Sequence, residues 1–382
     1  MKNKKIALVA KTDINTDGRI INQINILLRN FQNISFDFII LPDKPIKIKL
    51  NERVRFHQIK CLFRNNPIFR IFTILEFTWK VFFLLKKIRP DVIHLQDSAG
   101  SLPVLLYKKV YSNSLVVYDD HEIPNENATA FEKLNVYVEN RLIKACDFLI
   151  EANEERLTYI KDKLFIKSIP STYFLNLPYD EELISETDIN DHIKDSLEIL
   201  DNFIQHGGQF IIHQGPLKIE RGRALLARFS ECISQNQKIL LVGGTRYSYE
   251  TFIQEYNLSE DSFIFIGTIA YKFLPLFWGR ASYSIIMYLP NYLNNKLCAP
   301  NRYYLSLKYN IPTIVNKSNP VLNSLIIKNK NGAFIEDIIT SSFSESMLNV
   351  GIASDTTYAK LEMKQVREFC DFYQEIFNSL HS

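Results

Sequence analysis

Short apolar runs alternate with amphipathic stretches along the chain. In the first half the runs are KIALVA, FDFIIL, DVIHLQ, SLVVYDD and DFLIEA. Helical patterns of apolar positions follow three of these runs, over residues 18–31, 99–111 and 153–165. Continuous apolar runs that alternate with helices are typical of βαβ units. The pattern therefore predicts a buried parallel sheet.

The same alternation returns in the second half. The apolar runs there are QFIIHQG, KILLVGG, SFIFIG, YSIIMYL and IPTIV, and the helical patterns cover 222–235, 247–256, 271–278 and 301–309. A polar, acid-containing stretch over 179–205 separates the two halves. The chain, at 382 residues, is also longer than one hydrophobic core usually organises.

We therefore predict an α/β protein with two Rossmann-like, doubly wound domains. They would span 1–178 and 206–358, with 179–205 as a linker or excursion and a C-terminal helix within 359–382 that packs back across the domains. Open parallel sheets bind ligands beyond the carboxyl ends of their strands. We accordingly expect the two domains to face each other across a cleft that holds the functional site.

Composition narrows the partners and the compartment. The formal net charge is only +3, so the charge balance indicates no nucleic-acid partner. Five cysteines are scattered without metal-ligand spacing, which is typical of plain thiols in a reducing compartment. The N-terminal lysines lead into a short apolar run that ends at Lys11, so we expect no secretory signal and a cytoplasmic protein.

Residues 67–90, PIFRIFTILEFTWKVFFLLKKIRP, form the most membrane-like stretch. Charged residues interrupt it, so it does not resemble a transmembrane span. One interpretation is a long buried helix of the first domain. The other is an interfacial helix, with Trp79 and Phe82 near lipid and lysines near the headgroups. The second interpretation would give the protein peripheral contact with the inner face of the cell membrane.

A one-sided basic region lies in the second half. Residues 262–335 contain no Asp or Glu but eight Lys and Arg. Within this region Pro300 suits the first turn of a helix, and Asn301 and Arg302 follow it. Free N–H groups and the helix dipole favour anions at a helix start. Most charge runs are solvated surface, but Lys296 and Arg302 beside this helix start predict an anionic ligand.

A second anion site is predicted in HQGPLKIERGRALLARF, residues 213–229. The strand ends at Gly215, and Lys218 and Arg221 lie in the loop before the next helix. Arg presents a planar fork that holds two phosphate oxygens at once, which makes Arg221 the first choice for a diphosphate clamp. The alternative is a solvent-facing basic turn without a specific role.

Titratable residues follow two strands of the first half. VVYDDHEI places Asp120, His121 and Glu122 after one strand, and DVIHLQD places His94 near the end of another. His121 suits hydrogen bonding or acid-base chemistry because its unperturbed pKa lies near neutrality. The alternative is a structural histidine. A metal site built from His94, His121 and the nearby acids has suitable ligand types, but nothing in the spacing favours it over loop hydrogen bonding.

These motifs together resemble those of the GT-B glycosyltransferases, and within them the bacterial family 4 enzymes that build capsular, lipopolysaccharide and other lipid-linked glycans. TDGRI at 16–20 resembles the glycine-containing first loop that faces the acceptor, and YDDHE resembles a recurring Y-D-x-H-E segment. GPLKIERG is similar to the phosphate-binding loop. APNRYYLSLKYNIPTIV is similar to the pattern A-P-N-K-L-F-E-Y-L-A-A-G-I-P-V-I, which holds the donor nucleotide.

The resemblance implies a role for each site residue. Donor and phosphate binding falls to Gly215, Lys218, Arg221, Asn301 and Arg302. His121, with Asp120 and Glu122, is implied at the catalytic position beside the donor sugar. The acceptor-side loop is implied to comprise Asp17, Gly18, Arg19 and His94. Such enzymes transfer sugar with retention and use neither metal nor cofactor, so the implied ligands are a nucleotide-diphosphate sugar as co-substrate and a glycan or lipid-linked acceptor.

One part of the family pattern is absent. The paired glutamates of the E-x7-E motif would fall at Leu297 and Leu305, and the second glutamate ordinarily contacts the nucleotide ribose. Leucine accepts no hydrogen bond. Three interpretations follow: a glycosyltransferase that holds its nucleotide in another way, a non-catalytic GT-B scaffold or partner protein that has lost donor-ribose binding, and a GT-B nucleotide-sugar epimerase.

Overall fold

The computed structural model describes two compact α/β units of the chain. The described residues are 3–15, 17–64, 67–123, 129–178, 189–348, 350–352 and 355–380. The first unit comprises Met1–Tyr179 together with Met363–Ser382, and the second comprises Asp180–Glu362. Each unit is built around its own parallel sheet.

The first unit contains a seven-stranded parallel sheet. Its strands are β1 (Lys4–Ala10), β2 (Ile34–Ile40), β3 (Val54–Gln58), β4 (Val92–Gln96), β5 (Leu115–Asp119), β6 (Phe148–Glu151) and β7 (Ser171–Tyr173). Their spatial order is β3-β2-β1-β4-β5-β6-β7. Strands β1 to β3 extend the sheet toward one edge and β4 to β7 toward the other, so the topological switch point lies between the parallel neighbours β1 and β4. The connecting helices are α1 (Gly18–Asn30), α2 (Arg70–Ile88), α3 (Ser101–Val110), α4 (Ala130–Ile143) and α5 (Glu154–Leu164), with short 3-10 turns at Pro67–Phe69 and Ser98–Gly100.

Alternate residues of β1 face two separate cores, as the period-two geometry of a strand requires. Ile6 and Leu8 pack in one core with α1. Ala7 and Val9 pack in the other with α2 and α3. Because both faces are covered, the central strands are mostly apolar.

The second unit contains a six-stranded parallel sheet. Its strands are β8 (Gln209–Gln214), β9 (Gln237–Val242), β10 (Phe263–Gly267), β11 (Tyr283–Ile286), β12 (Thr313–Val315) and β13 (Gly332–Phe334), in the order β10-β9-β8-β11-β12-β13. The helices are α6 (Asp191–Gln205), α7 (Arg223–Ser230), α8 (Arg246–Tyr256), α9 (Leu274–Trp278), α10 (Leu293–Lys296), α11 (Asn301–Lys308), α12 (Pro320–Asn329), α13 (Ile335–Thr340) and α14 (Phe343–Met347). The C-terminal helix α15 (Asp355–Ser379) begins in the second unit and ends in the first. Short 3-10 turns lie at Ile219–Arg221, Glu260–Ser262 and Tyr271–Phe273.

The predicted fold class, two doubly wound parallel-sheet units, is confirmed. The described part of the predicted linker is mostly a helix packed in the second unit. Residues 191–205 form α6, and Ile193 and Leu200 are buried with Phe210 of β8 in the core of the second unit. Their helical spacing outweighs the acidic residues, which occupy the outer face. Residues 179–188 of that prediction lie outside the described residues.

The C-terminal helix α15 contributes to the core of the first unit. Phe369, Tyr373 and Phe377 are buried beside residues of β1 and α1. Residues 363–382 accordingly belong to the first unit, although α15 begins in the second. The prediction that this helix packs across both domains remains a prediction.

Helix α2 is only half buried. Phe77, Val81 and Leu85 face the core, whereas Phe72 and Trp79 on the other side are exposed. The interpretation of 67–90 as a long buried helix of the first domain therefore holds for one side of α2 only, because its apolar residues encircle the helix and a single sheet can cover only one side. Among the described residues, none of the helices is long and apolar enough to cross a bilayer.

Candidate functional site

Two arginines meet at the carboxyl edge of the second sheet. Arg221 ends the 3-10 turn after β8, and Arg302 is the second residue of α11. Pro300 occupies the N-cap position of α11, and Asn310 closes the helix with a positive φ of 55°. The sequence prediction of this helix start and stop is confirmed. The strand–loop–helix connections after β8 and before α11 thus bring two distant cations together.

A tyrosine ring joins the two guanidinium groups. The guanidinium carbon of Arg221 lies 3.9 Å from the ring centroid of Tyr288, and that of Arg302 lies 4.9 Å from the same centroid. Arg302 is only 9% exposed, and its Nη1 donates a hydrogen bond to the backbone oxygen of Gln214 at 2.5 Å. Cation–π contact with one ring holds both guanidinium groups close together, which preorganises their donors.

The charge around this tyrosine is unbalanced. Nη1 of Arg221 is buried and has no hydrogen-bond partner among the described residues. His213 of β8 is buried beside the arginines, and within the described chain neither of its ring nitrogens has a partner. Burial, together with the smaller effect of the charges on Arg302 and Arg221, lowers the pKa of His213 to about 3. The histidine is therefore neutral, and the two cations favour an anion.

Glycines let the backbone approach these groups closely. Gly215 has φ 127°, and a Cβ atom there would lie 3.0 Å from Nη1 of Arg302. Gly243 follows β9 with φ 116°, and its Cβ atom would lie 3.2 Å from the Cα of Gly215. A side chain at either position would meet both backbone strain and contact, so glycine is required there.

The structure brings together some of the predicted donor residues and separates others. Gly215, Arg221 and Arg302 meet at one place, and Asn301 is the first residue of α11. Lys218 is exposed, with its Nζ 3.8 Å from a carboxylate oxygen of Glu220. Sequence reasoning missed Tyr288 and His213. The available signal was that Tyr288 lies near the end of the predicted strand YSIIMYL and His213 near the end of QFIIHQG.

The two leucines that replace the family glutamates differ in environment. Leu305 is 2% exposed and belongs to an apolar core with Ile212 and Ile311. Leu297 ends α10 and is partly exposed. The position of Leu305 therefore contributes packing, and its side chain offers no acceptor to a ribose hydroxyl.

A buried network lies at the carboxyl edge of the first sheet around Asp119. Arg19 Nη2 lies 2.6 Å from Asp119 Oδ1, and Gln23 Nε2 donates to Asp119 Oδ2 at 2.6 Å. Arg19 also donates to the backbone oxygen of Phe174 and, at 3.0 Å, to Asn176 Oδ1. Burial alone would raise the pKa of Asp119, but Arg19 and the neighbouring histidines outweigh it and hold the pKa well below its ordinary value. Asp119 is therefore an ionised, fully buried carboxylate.

Glutamine side chains link this carboxylate to two histidines. Gln96 Nε2 donates to Gln23 Oε1 at 2.8 Å and contacts His94 Nε2 at 3.0 Å. Gln96 Oε1 lies 2.6 Å from His121 Nε2. Because that amide oxygen only accepts, Nε2 of His121 carries a hydrogen, and the neutral ring keeps its lone pair on Nδ1. The other ring nitrogen of His94, Nδ1, lies 2.5 Å from the hydroxyl of Tyr373.

His121 is the most accessible of these groups. Its side chain is 20% exposed, and its Nε2 lies 3.9 Å from Asp119 Oδ2. Burial disfavours the charged ring, but the Asp119 carboxylate outweighs burial and raises the pKa of His121. The Nη1 of Arg156 donates to the backbone oxygen of His121 at 2.5 Å, which fixes the loop. His121 is thus held in position at the end of β5 with one ring nitrogen available.

The acids beside His121 have different environments. Glu122 is exposed, whereas Asp120 is buried. Burial raises the pKa of Asp120 well above its ordinary value, and the charges of Glu151 and Glu139 add to the effect. Burial likewise raises the pKa of Glu139 to about 7 and that of Glu151 to about 8. Burial beside two other acids therefore favours the protonated form of Asp120.

A cation could be held beside these acids. One carboxylate oxygen each from Asp97, Asp120 and Glu139 lie within 4.8 Å of one another. Oxygen ligands at such distances suit a hard divalent ion, but the raised pKa values favour protons at the same place. The expected absence of a metal remains a prediction.

The predicted acceptor-side loop is mostly structural. Asp17 caps α1 by accepting from the backbone nitrogen of Ile20 at 3.2 Å, and Gly18 is the first residue of that helix. Arg19 forms a buried ion pair with Asp119. His94 is buried within β4 and does not lie in a loop. Both corrections have one cause: the strand and helix ends at this edge are interior, so polar side chains there bind one another. Thr16 lies outside the described residues.

Comparison with solved structures identifies the fold. A sucrose-phosphate synthase from Thermosynechococcus elongatus aligns with a TM-score of 0.72 at 14% sequence identity, covering 98% of this chain and 100% of the other. The Anabaena protein HepE in complex with UDP-glucose gives 0.64 at 14% identity, covering 99% of each chain. WaaG, a glycosyltransferase involved in lipopolysaccharide biosynthesis, gives 0.63 at 11% identity and covers 98% of each. No protein-family model and no curated protein matches the sequence. The three similar structures are GT-B glycosyltransferases, and this chain has the GT-B fold.

Proposed function

We propose that this protein is a glycosyltransferase that moves a sugar from a nucleotide-diphosphate donor to a glycan or lipid-linked acceptor. One observation carries the proposal. Arg221 and Arg302 stack on Tyr288 at the carboxyl edge of a parallel sheet, beside a neutral His213, and Nη1 of Arg221 is buried without a partner in the described chain. A diphosphate supplies the two negative charges and the several acceptor oxygens that this arrangement lacks.

The proposed donor site uses the second unit. Arg221 and Arg302 bind the diphosphate, and Asn301 lies beside Arg302 at the start of α11. Gly215 permits the close approach, and the exposed Lys218 is free to turn toward a bound phosphate. The similar structure of HepE was determined with UDP-glucose, which supports a nucleotide sugar as the ligand class.

The arrangement stabilises charge that develops during transfer. The bond between the sugar C1 and the diphosphate oxygen breaks, and a bond between C1 and the acceptor oxygen forms. The acceptor proton leaves on the released diphosphate. Two preorganised guanidinium groups stabilise the negative charge on that leaving group, which is an electrostatic form of catalysis. We propose that transfer occurs with retention and without a metal, as in the family 4 enzymes that the sequence motifs resemble.

His121 is the proposed functional residue of the first unit. Its Nε2 is committed to Gln96, and its Nδ1 is left to bind a substrate hydroxyl. The Asp119 carboxylate raises the pKa of His121, and a hydrogen bond from Arg156 fixes the backbone of His121. The buried Asp120 and the exposed Glu122 support the loop rather than take part in proton transfer.

A second candidate function is a non-catalytic GT-B scaffold. The observation that favours it is the buried, apolar environment of Leu305, where the family places the ribose-binding glutamate. A protein of this kind would bind nucleotides weakly and transfer nothing. Its partners would then be proteins or glycans.

A turnover assay separates these functions. The purified protein is incubated with a panel of nucleotide sugars and a mixture of glycan and lipid-linked acceptors, and the products are identified by mass spectrometry. Transfer that falls strongly in Arg221→Ala but not in Arg223→Ala is the expected result. Arg223 is a matched control because it lies two residues away and pairs with Glu255 at 2.5 Å. Donor isomerisation without acceptor would indicate an epimerase, and an intact but inactive protein would favour the scaffold.

We also propose that the protein works in the cytoplasm at the inner face of the membrane. Half-buried α2, which leaves Phe72 and Trp79 exposed and has two lysines in its last turn, supports the interfacial interpretation of 67–90, although Phe82 packs against the core of the unit. A role in capsule or lipopolysaccharide assembly is consistent with such a position.

A further inference from the structure

An apolar cavity of about 750 Å³ opens beside α2 in the first unit. Its walls come from the segments that follow β1, β2 and β4, and from α2 and α4. Leu41, Ile74 and Leu102 are among the residues that line it. Because the carboxyl ends of parallel strands are where such sheets bind ligands, the cavity lies at the functional edge of this unit.

The cavity continues into an exposed apolar stripe on α2. Ile71 and Leu75 line the cavity and are also exposed. Phe72, Trp79 and Phe83 continue the exposed surface along the helix at helical spacing. Exposed aromatic residues in one continuous stripe are unusual on a monomer surface and mark a contact with an apolar partner.

Basic residues surround the opening. Lys11, Arg64 and Arg70 line the cavity, against a single acidic residue, Asp43. Asp43 is already paired with Arg64. The excess positive charge beside an apolar interior suits a molecule with a hydrocarbon chain and an anionic headgroup.

The cavity wall is directly connected to the His121 network. Gln96 Oε1 lies 2.6 Å from His121 Nε2, and two residues later the chain forms the wall with Ser98 and Ala99. A headgroup held at this opening would therefore lie on the same edge of the sheet as His121.

We propose that this cavity binds the hydrocarbon chain of a lipid phosphate, with the phosphate at Lys11 and Arg70 and the α2 stripe in the membrane surface. The inference rests on the proposed glycosyltransferase function and deepens it, because it names the acceptor class as a glycan carried on a lipid phosphate. The residues of the proposed donor site belong to the other unit, so the two proposals can be tested with separate variants.

The test measures the affinity of the protein for a dodecyl phosphate whose hydrocarbon chain is brominated. Bromine quenches the fluorescence of Trp79, which reports binding. Trp79→Phe identifies the signal, because the other tryptophan, Trp278, is buried in the second unit. Ala99→Phe and Thr73→Phe fill the cavity from two different walls. Val110→Phe is the matched control, since Val110 is exposed at the end of α3 and does not line the cavity.

We expect each filling variant to weaken binding roughly tenfold or more and the control to bind as the wild type does. Inorganic phosphate should compete only weakly, and dodecyl maltoside should bind less tightly than the phosphate. Wild-type affinity for the brominated dodecyl phosphate in both filling variants would overturn the inference. A concentration-dependent dimer that protects α2 from quenching would also overturn it, because a second copy would then be the occupant.

Nucleotide binding, measured in the same variants, distinguishes the two proposals. Nucleotide binding without lipid-phosphate binding contradicts only this inference. Lipid-phosphate binding in a protein that binds no nucleotide contradicts the proposed donor function instead. Retained nucleotide affinity in Ala99→Phe and Thr73→Phe also shows that the second unit of these variants is folded.

Discussion

Replacing Asp119 by asparagine should destabilise the first unit strongly. The carboxylate is fully buried and receives hydrogen bonds from Arg19 at 2.6 Å and Gln23 at 2.6 Å. Asparagine keeps the shape but removes the charge, and its amide group would point one N–H toward a donor. The guanidinium of Arg19 would then be buried without its counter-ion.

The expected loss can be worked from these contacts. Breaking a buried ion pair from one side typically costs about 3–5 kcal/mol. Arg19 keeps the oxygens of Phe174 and Asn176 as partners, so we expect the lower end, about 3 kcal/mol. Because the folded-state pKa of Asp119 is depressed, this stabilisation is present at neutral pH and is lost in acid as the pH falls through that pKa.

The assay is urea unfolding of the first unit at neutral pH. It is followed by Trp79 fluorescence, isolated by difference from Trp79→Phe, because a two-unit chain need not unfold in one step. The matched control is Asp43→Asn, whose carboxylate pairs with Arg64 at the surface and should matter by less than about 1 kcal/mol. A loss for Asp119→Asn no larger than that of Asp43→Asn would refute the account of the network.

Three further predictions concern single residues. Glu151→Gln should stabilise the first unit more at pH 8 than at pH 5. Because the folded-state pKa of Glu151 is raised to about 8, the wild type loses stability as the pH rises from the unfolded-state pKa of this carboxyl towards 8, and glutamine does not. Equal unfolding free energies for the two proteins at pH 8 would contradict this prediction. Leu305→Glu should lower the unfolding free energy by at least about 3 kcal/mol and should not improve nucleotide affinity, since the side chain is 2% exposed in an apolar core; a stable variant that binds nucleotide more tightly would show that the position still faces the ribose. His121→Ala should lower kcat far more than donor affinity, and equal turnover would make His121 a structural residue.

The main elements of the fold could be predicted because they are long and apolar. Strands β1, β4 and β8 are buried along most of their length, so each carries a run of apolar residues that the sequence pattern reveals, although β4 and β8 also include polar residues. Strands β7 and β13 have three residues each and half-buried, mixed sequences that carry no clear periodicity. Their pairing depends on neighbouring strands rather than on local pattern.

The candidate site could be predicted only in part. Arg221 and Arg302 were found because each lies beside a recognisable strand or helix boundary. The ring of Tyr288, which joins them, could not be predicted, because its position depends on how β11 lies against β8 in three dimensions. Arg19 was expected only as part of the acceptor-side loop. Its role as the counter-ion of Asp119 depends on a contact between residues one hundred positions apart.

Binding of nucleoside diphosphates tests the central claim most directly. Calorimetric titration without metal would compare a panel of nucleoside diphosphates with the matching monophosphates, using the wild type, Arg221→Ala, Arg302→Ala and the control Arg223→Ala. We predict that one diphosphate binds clearly better than its monophosphate, and that each clamp variant loses about 1.5–3 kcal/mol of this binding while the control loses none. Absence of binding by every diphosphate, or unchanged affinity in both clamp variants, would contradict the claim that this tyrosine-bridged arginine pair holds a donor diphosphate.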